Sequence, residues 1–220
     1  MLADHVLFID AEALLLDKPA GLPVDAPRAG GLSVESQLES LRFGFQRDPA
    51  AVHRLDRDTS GCLLLARNPK AHKRFAAAFE DGLAEKVYLA VLDGVPESES
   101  GRISLGLSKR STREEGWRMV PDRKGKPAFT DWRLLGVARG QALVEFRPRT
   151  GRTHQLRVHA AEGLHLPIVG DPVYGRGGPS MLLHAQRLRL PRDPKPAIEG
   201  EAPLPERFAR WAEFVIDAGA

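Results

Sequence analysis

The segment HRLDRDTSGCLLLARNP, residues 53–69, places a densely charged loop directly before an apolar run and the start of a helix. Gly61 to Arg67 is short and apolar, as expected for a buried strand. Asn68-Pro69 is typical of a helix cap followed by proline at the first helical position, and Gly82 is expected to end that helix. The loop packs two carboxylates, two guanidiniums and an imidazole into six residues. Such a group is costly to desolvate, so the loop is either solvated surface or a site.

The regions around this segment are rich in short strand patterns. Two strands, Phe129 to Leu135 and Ala142 to Pro148, flank a glycine-containing turn and predict a hairpin. Further strands are predicted at Ala13–Asp17, Lys86–Leu92, Arg102–Ser108 and Leu182–Leu190, and a final helix at about Pro205–Asp217. Because strands outnumber helices and short turns join many of them, we predict an α+β fold with a mostly antiparallel mixed sheet and flanking helices and loops. No clear linker interrupts the chain, so one domain over residues 1–220 is expected.

Charge is unevenly distributed along the chain. Residues 1–101 carry 11 Lys and Arg against 16 Asp and Glu, residues 102–192 carry 18 against 7, and residues 193–220 carry 3 against 6. A basic central block between acidic ends indicates a face that binds a polyanion. The single cysteine, Cys62, excludes an intramolecular disulfide and a cysteine-based zinc cluster, which fits a reducing cytoplasm. The N-terminus does not resemble a signal peptide, and no apolar stretch reaches the ~20 residues of a membrane span.

A second segment with candidate catalytic or binding residues is GRTHQLRVH, residues 151–159. Thr153 is expected to cap a helix through Glu162, which would place Arg157 one turn in, on the face of His154. Arg157 could then pair with a carboxylate from another loop; the alternative is a solvated basic helix face. His154 and His159 are five residues apart and out of phase on a helix, so a shared metal ion is not expected.

Tyr88, in the strand KVYLA at residues 86–90, is a third candidate. Val87, Leu89 and Val91 share one face of this strand, which leaves Tyr88 on the other. Tyr88 could line a cleft, although its spacing equally fits an ordinary half-buried tyrosine in a sheet.

Five segments together resemble the RluA-type pseudouridine synthases. HRLDRDTSG is similar to the signature of that family, and LLLDKPAGLPV at residues 14–24 is similar to its N-terminal lysine-proline motif. KVYLA, the segment GRTHQLRVHAAEGLHLPIVGDPVYG at residues 151–175 and the late strand LLHAQRLRL at residues 182–190 match its remaining motifs, in the order of the family. The resemblance implies the pseudouridine synthase catalytic fold, with a catalytic cleft across the sheet. The chain resembles the short members, which lack the S4 RNA-binding domain and act on transfer RNA, ribosomal RNA or both.

The resemblance also implies roles for individual residues. Asp56 matches the catalytic aspartate, and Arg54 matches the arginine that displaces and replaces the target nucleotide. Tyr88 matches the tyrosine that stacks on the base and is a candidate for proton transfer. Arg157 matches the arginine that pairs with the aspartate. Lys18 matches a lysine with a structural or electrostatic role, and it is grouped with Arg152 and His154 as a candidate for substrate and RNA binding.

The implied reaction needs no redox change, because the N1–C1′ bond of uridine is broken and the base is rejoined through C5. We therefore expect no cofactor and no metal ion. The expected partner is structured RNA, the expected location is the cytoplasm, and a monomer is the default state. Asp56 could attack the sugar or act as a base on it, and both roles need it to be ionised.

Two other functions remain open at this stage. A glycoside hydrolase or nucleosidase could use Asp56 and Asp58 as a carboxylate pair and would release free uracil. A non-catalytic RNA-binding or ribosome-assembly module could retain the motifs without turnover. Intact Asp56, Tyr88 and Arg157 argue against that second alternative.

Overall fold

The computed structural model describes residues 2–114 and 116–218, and these divide into two compact units. The first contains the described residues up to Lys86 together with His184–Pro203. The second contains Val87–Leu183 and the described residues from Leu204 onward. Both units are built mainly from strands with few helices, which confirms the predicted α+β class. A single domain over 1–220 stays a prediction.

The first unit is a mixed sheet with one long helix. Its strands are β1 (Val6–Ile9), β2 (Ala13–Lys18), β3 (Ala50–Ala51), β4 (Ser60–Ala66), β10 (Leu183–Leu190) and β11 (Ile198–Glu201). They are ordered β1-β2-β4-β10-β11, and the short strand β3 also pairs with β4. Among these described strands, β4 and β10 run parallel and the other pairs are antiparallel. The helix α1 (Pro69–Glu80) begins as predicted, because the Asn68 side chain accepts a hydrogen bond from the amide of Ala71. Two short 3-10 helices, Leu2–His5 and Glu35–Leu41, complete the unit.

One core cluster of the first unit lies on the face of this sheet that α1 covers. Phe75 of α1 is buried against Leu15 of β2 and Leu64 of β4. Phe79, four residues after Phe75, packs at the edge of the same core. This packing places the loop that precedes β4 next to a rigid core.

The second unit is an antiparallel sheet with helices on it. Its strands are β5 (Glu85–Leu92), β6 (Ser100–Thr112), β7 (Gly116–Pro121), β8 (Lys126–Ala138) and β9 (Gln141–Pro148), in the order β5-β9-β8-β6-β7. The predicted β8–β9 hairpin is confirmed, and its turn is Arg139-Gly140, with positive φ at both residues. That backbone matches the twist of a two-residue hairpin connection.

Helices of the second unit follow its strands along the chain. They are α2 (Gln155–Val158), a π-helical turn (His159–Gly163), a 3-10 helix (Glu206–Trp211) and α3 (Ala212–Ala218). Phe208 and Trp211 are buried against Leu89, Val91 and Leu143 on one face of the sheet. Leu156 and Ala160 are buried on the other face, against Val144 and Phe146 among others. Among the described residues, no helix combines the length and apolar character needed to cross a membrane.

Candidate active site

The charged loop before β4 is fixed by two inward-facing residues. Leu55 is only 5% exposed and anchors the charged residues on either side of it. The Nε2 atom of His53 accepts a hydrogen bond of 3.0 Å from the amide of Leu64, and its ring stacks on Phe79 with centroids 4.6 Å apart. Burial, with the nearby charge of Lys86, lowers the pKa of His53 to about 3. His53 is therefore a neutral anchor at physiological pH.

The charged residues between and after these anchors differ in exposure. Arg54 is 65% exposed, with its Nη1 atom 3.3 Å from Asp25. Asp56 is half-buried, and its backbone carbonyl accepts a hydrogen bond of 3.1 Å from the amide of Thr59, which closes a tight turn. Arg57 donates from Nε to Asp58 at 3.0 Å. Asp58 is thus paired with its neighbour, which weakens the alternative in which Asp56 and Asp58 act as a carboxylate pair.

Lys18 supports this loop from the end of β2. Its side chain has no exposed surface, and its ammonium donates to the carbonyls of Pro19, Leu22 and Arg57 at 2.8, 2.7 and 3.1 Å. The amide of Gly21 also donates to the Arg57 carbonyl, at 2.8 Å. Two donors therefore hold the residue next to Asp56. A direct contact of Lys18 with RNA stays a prediction.

The other end of the loop is fixed where β4 meets β10. Gly61 has a φ of +105°, and a Cβ there would lie 2.1 Å from the carbonyl oxygen of Ala185, so only glycine fits. Beside it, the Ser60 hydroxyl lies 2.7 Å from Nδ1 of His184. Nε2 of the same ring lies 3.4 Å from the carbonyl oxygen of Ala202.

In the second unit, Tyr88 lies on the predicted face of β5. It pairs across the strands with Phe146 of β9, and its half-buried side chain packs against the core on that face. Leu89 and Val91 belong to the core of the opposite face, which confirms the predicted alternation. Stacking of Tyr88 on a base stays a prediction.

Arg157 forms a buried, two-pronged ion pair with Asp171. Its Nε and Nη2 atoms each lie 2.8 Å from a different carboxylate oxygen, and the two side chains are 7% and 0% exposed. Asp171 also accepts from the amides of Val173 and Tyr174, at 2.8 and 3.1 Å. Burial alone would raise the pKa of Asp171, but the bonds and charge of Arg157 outweigh it, with help from the two amides, so the pKa is lowered. Asp171 is therefore a fixed anion that orients the guanidinium of Arg157.

Asp171 takes up the Nε donor and one Nη2 donor of Arg157. The implied pairing of Arg157 with Asp56 joins residues of different units and stays a prediction. Asp171 was not predicted from the sequence, although it lies within the motif segment at residues 151–175. A separation of 14 residues carries no periodic signal, so only the motif itself could have pointed to it.

The predicted cap at Thr153 is wrong. The α-helix begins at Gln155, spans only four residues and continues as a π-helical turn, and the preceding residue, His154, has a left-handed φ of 52°. The helix start has no side-chain cap, because the Gln155 side chain is turned back onto the preceding loop: its Oε1 accepts from the amide of Arg152 and from the hydroxyl of Thr150. Arg157 therefore lies at the third position of a short helix, and the expected face shared with His154 does not form.

His154 and Arg152 lie at the start of this segment. The His154 ring lies between two aromatic residues that the sequence analysis missed, with centroids 4.9 Å from Trp117 and 5.7 Å from Tyr174. Its Nδ1 atom is 3.0 Å from the Tyr174 hydroxyl, which accepts from the amide of Met119. Arg152 is exposed and donates from Nε to the carbonyl of Pro127 at 3.1 Å. RNA binding by His154 and Arg152 stays a prediction.

Comparison with known proteins gives a consistent result. The sequence pattern of the family described as RNA pseudouridylate synthase matches residues 12–162. The chain is 58% identical to an uncharacterized RNA pseudouridine synthase of Zymomonas mobilis, over 94% of this chain and 97% of the relative. It is 36% identical to the ribosomal large subunit pseudouridine synthase C of Rickettsia bellii, over 94% and 70% of the two chains. Among solved structures, the human RNA pseudouridylate synthase domain containing 4 superposes with a TM-score of 0.80 at 26% identity, covering 97% and 94%.

Proposed function

The chain belongs to the RNA pseudouridylate synthase family, and on that premise we propose that Asp56 is its catalytic carboxylate. The protein is an RNA pseudouridine synthase, an isomerase that converts uridine in RNA to pseudouridine. The observation that carries the role of Asp56 is the support around it. Leu55 is buried immediately before it, and Arg57, immediately after it, is held through its carbonyl by Lys18 and Gly21. A catalytic group must be held by a rigid surrounding shell to keep its geometry.

The reaction requires little more from the protein than a correctly positioned carboxylate and a closed site. The N1–C1′ bond breaks, the base turns, C5 bonds to C1′, and the proton lost from C5 is balanced by one gained at N1. Asp56 acts either as the nucleophile at C1′ or as a base on the sugar, and it is ionised in both schemes. No electrons leave the substrate, so we propose that no cofactor or metal ion takes part.

Arg157 and Tyr88 complete the proposed catalytic set. We propose that Arg157, oriented by Asp171, pairs with the Asp56 carboxylate. Tyr88 contributes a flat ring on which the uracil stacks. Its half-buried position on β5, packed against a core, suits a rigid stacking surface.

RNA binding involves a second set of residues. Arg54, with 65% of its side chain exposed, is proposed to take the place of the nucleotide that leaves the stack. Exposed Arg152 and half-buried His154 are proposed to contact the RNA near the target. Lys18 acts mainly by holding the Asp56 loop.

The proposed substrate is structured RNA, either transfer RNA, large-subunit ribosomal RNA or both. A relative that is 36% identical is named for the large ribosomal subunit, which favours ribosomal RNA. Both candidate RNAs are cytoplasmic in a bacterium, so we propose that the protein acts there, and that it does so as a monomer.

The test maps pseudouridine after the purified protein is incubated with unmodified transfer RNA and ribosomal RNA without any cofactor. We expect new pseudouridine at discrete positions, none with Asp56→Ala, and no release of free uracil. RNA binding by Asp56→Ala should be nearly unchanged. The matched control is Asp58→Ala, which removes a carboxylate from the same loop. Turnover by Asp56→Ala, or loss of turnover in Asp58→Ala alone, would refute the assignment. A fully functional Asp56→Asn in cells would favour the non-catalytic RNA-binding alternative.

Arg157 needs a control of its own. Arg157→Met is expected to reduce turnover strongly, but it also leaves Asp171 as a buried carboxylate without its guanidinium. Arg157→Lys keeps a positive charge near Asp171 and loses the two-pronged geometry. Turnover should therefore be measured with the unfolding free energy of each variant. Wild-type turnover in a folded Arg157→Lys would show that the fixed guanidinium is dispensable.

A further inference from the structure

One face of the sheet in the second unit carries a cluster of arginines. Tyr88, Trp132 and Phe146 point to the core on one side of this sheet. Side chains alternate along a strand, so the residues next to Trp132 and Phe146 point to the opposite side. We define the arginine face as the following residues on that opposite side: Arg102, Phe129, Asp131, Arg133, Glu145 and Arg147, together with Arg149, which follows β9 and bonds to Asp131.

The arginine face is organised around two carboxylates. Asp131 accepts from Nε of Arg102 at 2.6 Å and from Nε of Arg149 at 2.8 Å. Glu145 accepts from Nε of Arg133 at 2.9 Å and from Nε of Arg147 at 2.7 Å. The bonds from Arg102 and Arg149 lower the pKa of Asp131 to about 2, so it stays charged at physiological pH. Each carboxylate thus holds two arginines in place.

The arginine face carries more arginines than the stability of the sheet requires. One arginine for each carboxylate would neutralise the face, yet there are two for each, and like charges on neighbouring strands destabilise a sheet. Arg102, Arg147 and Arg149 are 63%, 55% and 66% exposed. Their bonds to the carboxylates use Nε, so the two Nη amino groups of each can donate to another oxygen ligand. Fixed, outward-facing guanidiniums are suited to phosphate.

The shape of the face also suits a nucleic acid strand. The apolar part of the same face is covered by Phe208 and Trp211, whereas the arginine part is open to solvent. A shallow depression of about 260 Å³ is lined by Asp131, Trp132, Arg133, Glu145 and Arg147. Two residues before Asp131 on the same strand, Phe129 is 39% exposed. An exposed aromatic ring beside basic groups is the arrangement that sheets use to bind single-stranded RNA.

We propose that the arginine face binds the sugar-phosphate backbone of an RNA segment outside the reacting nucleotide, with an unpaired base on Phe129. The face lies opposite the side of the sheet on which Tyr88 lies, so it is a second RNA contact and not part of the proposed catalytic set. The proposal rests on the proposed function insofar as RNA is the substrate. It adds a surface that increases affinity without acting on the bond that is broken.

The experiment measures RNA affinity as a function of salt. The probe is a short fluorescein-labelled oligouridylate, titrated with wild type and with the triple variant Arg102→Gln, Arg147→Gln and Arg149→Gln. For a single strand, each phosphate contact adds about 0.7 to the steepness of the plot of log affinity against log salt concentration. The loss of three contacts should therefore make that plot shallower by roughly 2. At low salt, the affinity should fall at least roughly tenfold. Phe129→Ser alone should weaken binding roughly fivefold or more through lost stacking.

The matched control is the triple variant Arg74→Gln, Arg187→Gln and Arg189→Gln. These arginines of the first unit are also partly exposed and paired with glutamates, so the control removes the same charge. Thermal unfolding of both triple variants shows that each is folded. Equal affinities and salt slopes for the two triple variants would overturn the proposal, because the effect would then follow net charge alone. Wild-type binding by the arginine-face variant would also overturn it.

A turnover assay separates this proposal from the proposed function. Once a modified RNA has been identified, the arginine-face variant should show a raised KM with an unchanged kcat, because the reacting groups are untouched. Asp56→Ala should show lost turnover with retained oligouridylate binding. Loss of kcat in the arginine-face variant at saturating RNA would count against a role in affinity alone.

Discussion

Replacing Asp171 by asparagine tests whether the buried ion pair is a rigid support of the site. In the wild-type protein, Oδ1 accepts from Arg157 and from the amides of Val173 and Tyr174, and Oδ2 accepts from Nε of Arg157. An asparagine oxygen can keep the Oδ1 bonds. Its amide nitrogen then replaces Oδ2 and points its hydrogens at the Nε–H of Arg157, so two donors oppose each other. The turn after residue 171 should survive, whereas the ion pair should not.

The expected loss is large because the remaining charge is buried. Breaking a buried ion pair by removing one partner costs about 3–5 kcal/mol, since the other charge loses its main compensating group. Arg157 is 7% exposed and cannot regain water without local opening. The comparison variant is Asp131→Asn, which also removes a carboxylate bound by two arginines. Because Arg102 and Arg149 are more than 60% exposed, that change should cost less than about 1 kcal/mol.

Urea unfolding at pH 7 followed by circular dichroism measures both changes. The pKa of Asp171 is lowered in the folded state, so its stabilising contribution is complete above the unfolded-state value of about 3.9 and is lost only as the pH falls through the folded value. At pH 7, the wild type therefore carries the full contribution. A loss below about 1 kcal/mol for Asp171→Asn, or an equal loss for Asp131→Asn, would refute the assignment of Asp171 as the rigid support of Arg157.

Two further predictions concern the fold that holds the site. Gly61→Ala should destabilise the protein by more than about 3 kcal/mol or prevent folding, because its Cβ would lie 2.1 Å from a backbone oxygen. The control is Gly21→Ala, at a φ of +84° with no atom within 4 Å of the added Cβ, which should cost only about 1–2 kcal/mol. Equal unfolding free energies would contradict the close approach at Gly61. Burial lowers the pKa of His159 to about 4, so the unfolded chain takes up a proton first and stability falls as the pH drops from about 6.5 towards 4. Between pH 8 and pH 5, His159 accounts for a loss of about 2 kcal/mol in the free energy of unfolding. In urea titrations, the loss over this pH range should therefore be about 2 kcal/mol smaller for His159→Gln than for wild type. Parallel pH profiles of the two proteins would rule out His159 as the source.

Local signals in the sequence were sufficient for most of the secondary structure. The helix α1 could be predicted because its cap, its first proline and its terminating glycine lie within one segment, and each acts on its own neighbours. The alternation in β5 correctly placed Tyr88 opposite Leu89 because the burial of a strand follows its period of two. These features depend on contacts within a few residues.

The features that could not be predicted depend on residues far apart in the chain. The helix expected from Thr153 fails because Gln155 bonds back to the amide of Arg152 and His154 packs between Trp117 and Tyr174. Ring packing of this kind depends on the register of β7, which no local pattern specifies. The arginine face has the same origin, since its residues become neighbours only once β6, β8 and β9 are aligned.

Burial separates groups that look equivalent in the sequence. Lys18, His53 and Arg157 are polar residues of the family motifs, yet each has a side chain held by backbone groups or by a buried counter-ion. A buried group that is already bonded is expensive to withdraw from its partners, so its contribution is rigidity. Asp56 differs because it is half-buried and lies between a buried leucine and a residue whose carbonyl is fixed. A carboxylate on a rigid loop that still has access to solvent can both keep its geometry and meet a nucleotide. The scaffold residues therefore favour Asp56, and not Lys18, His53 or Arg157, as the group that reacts.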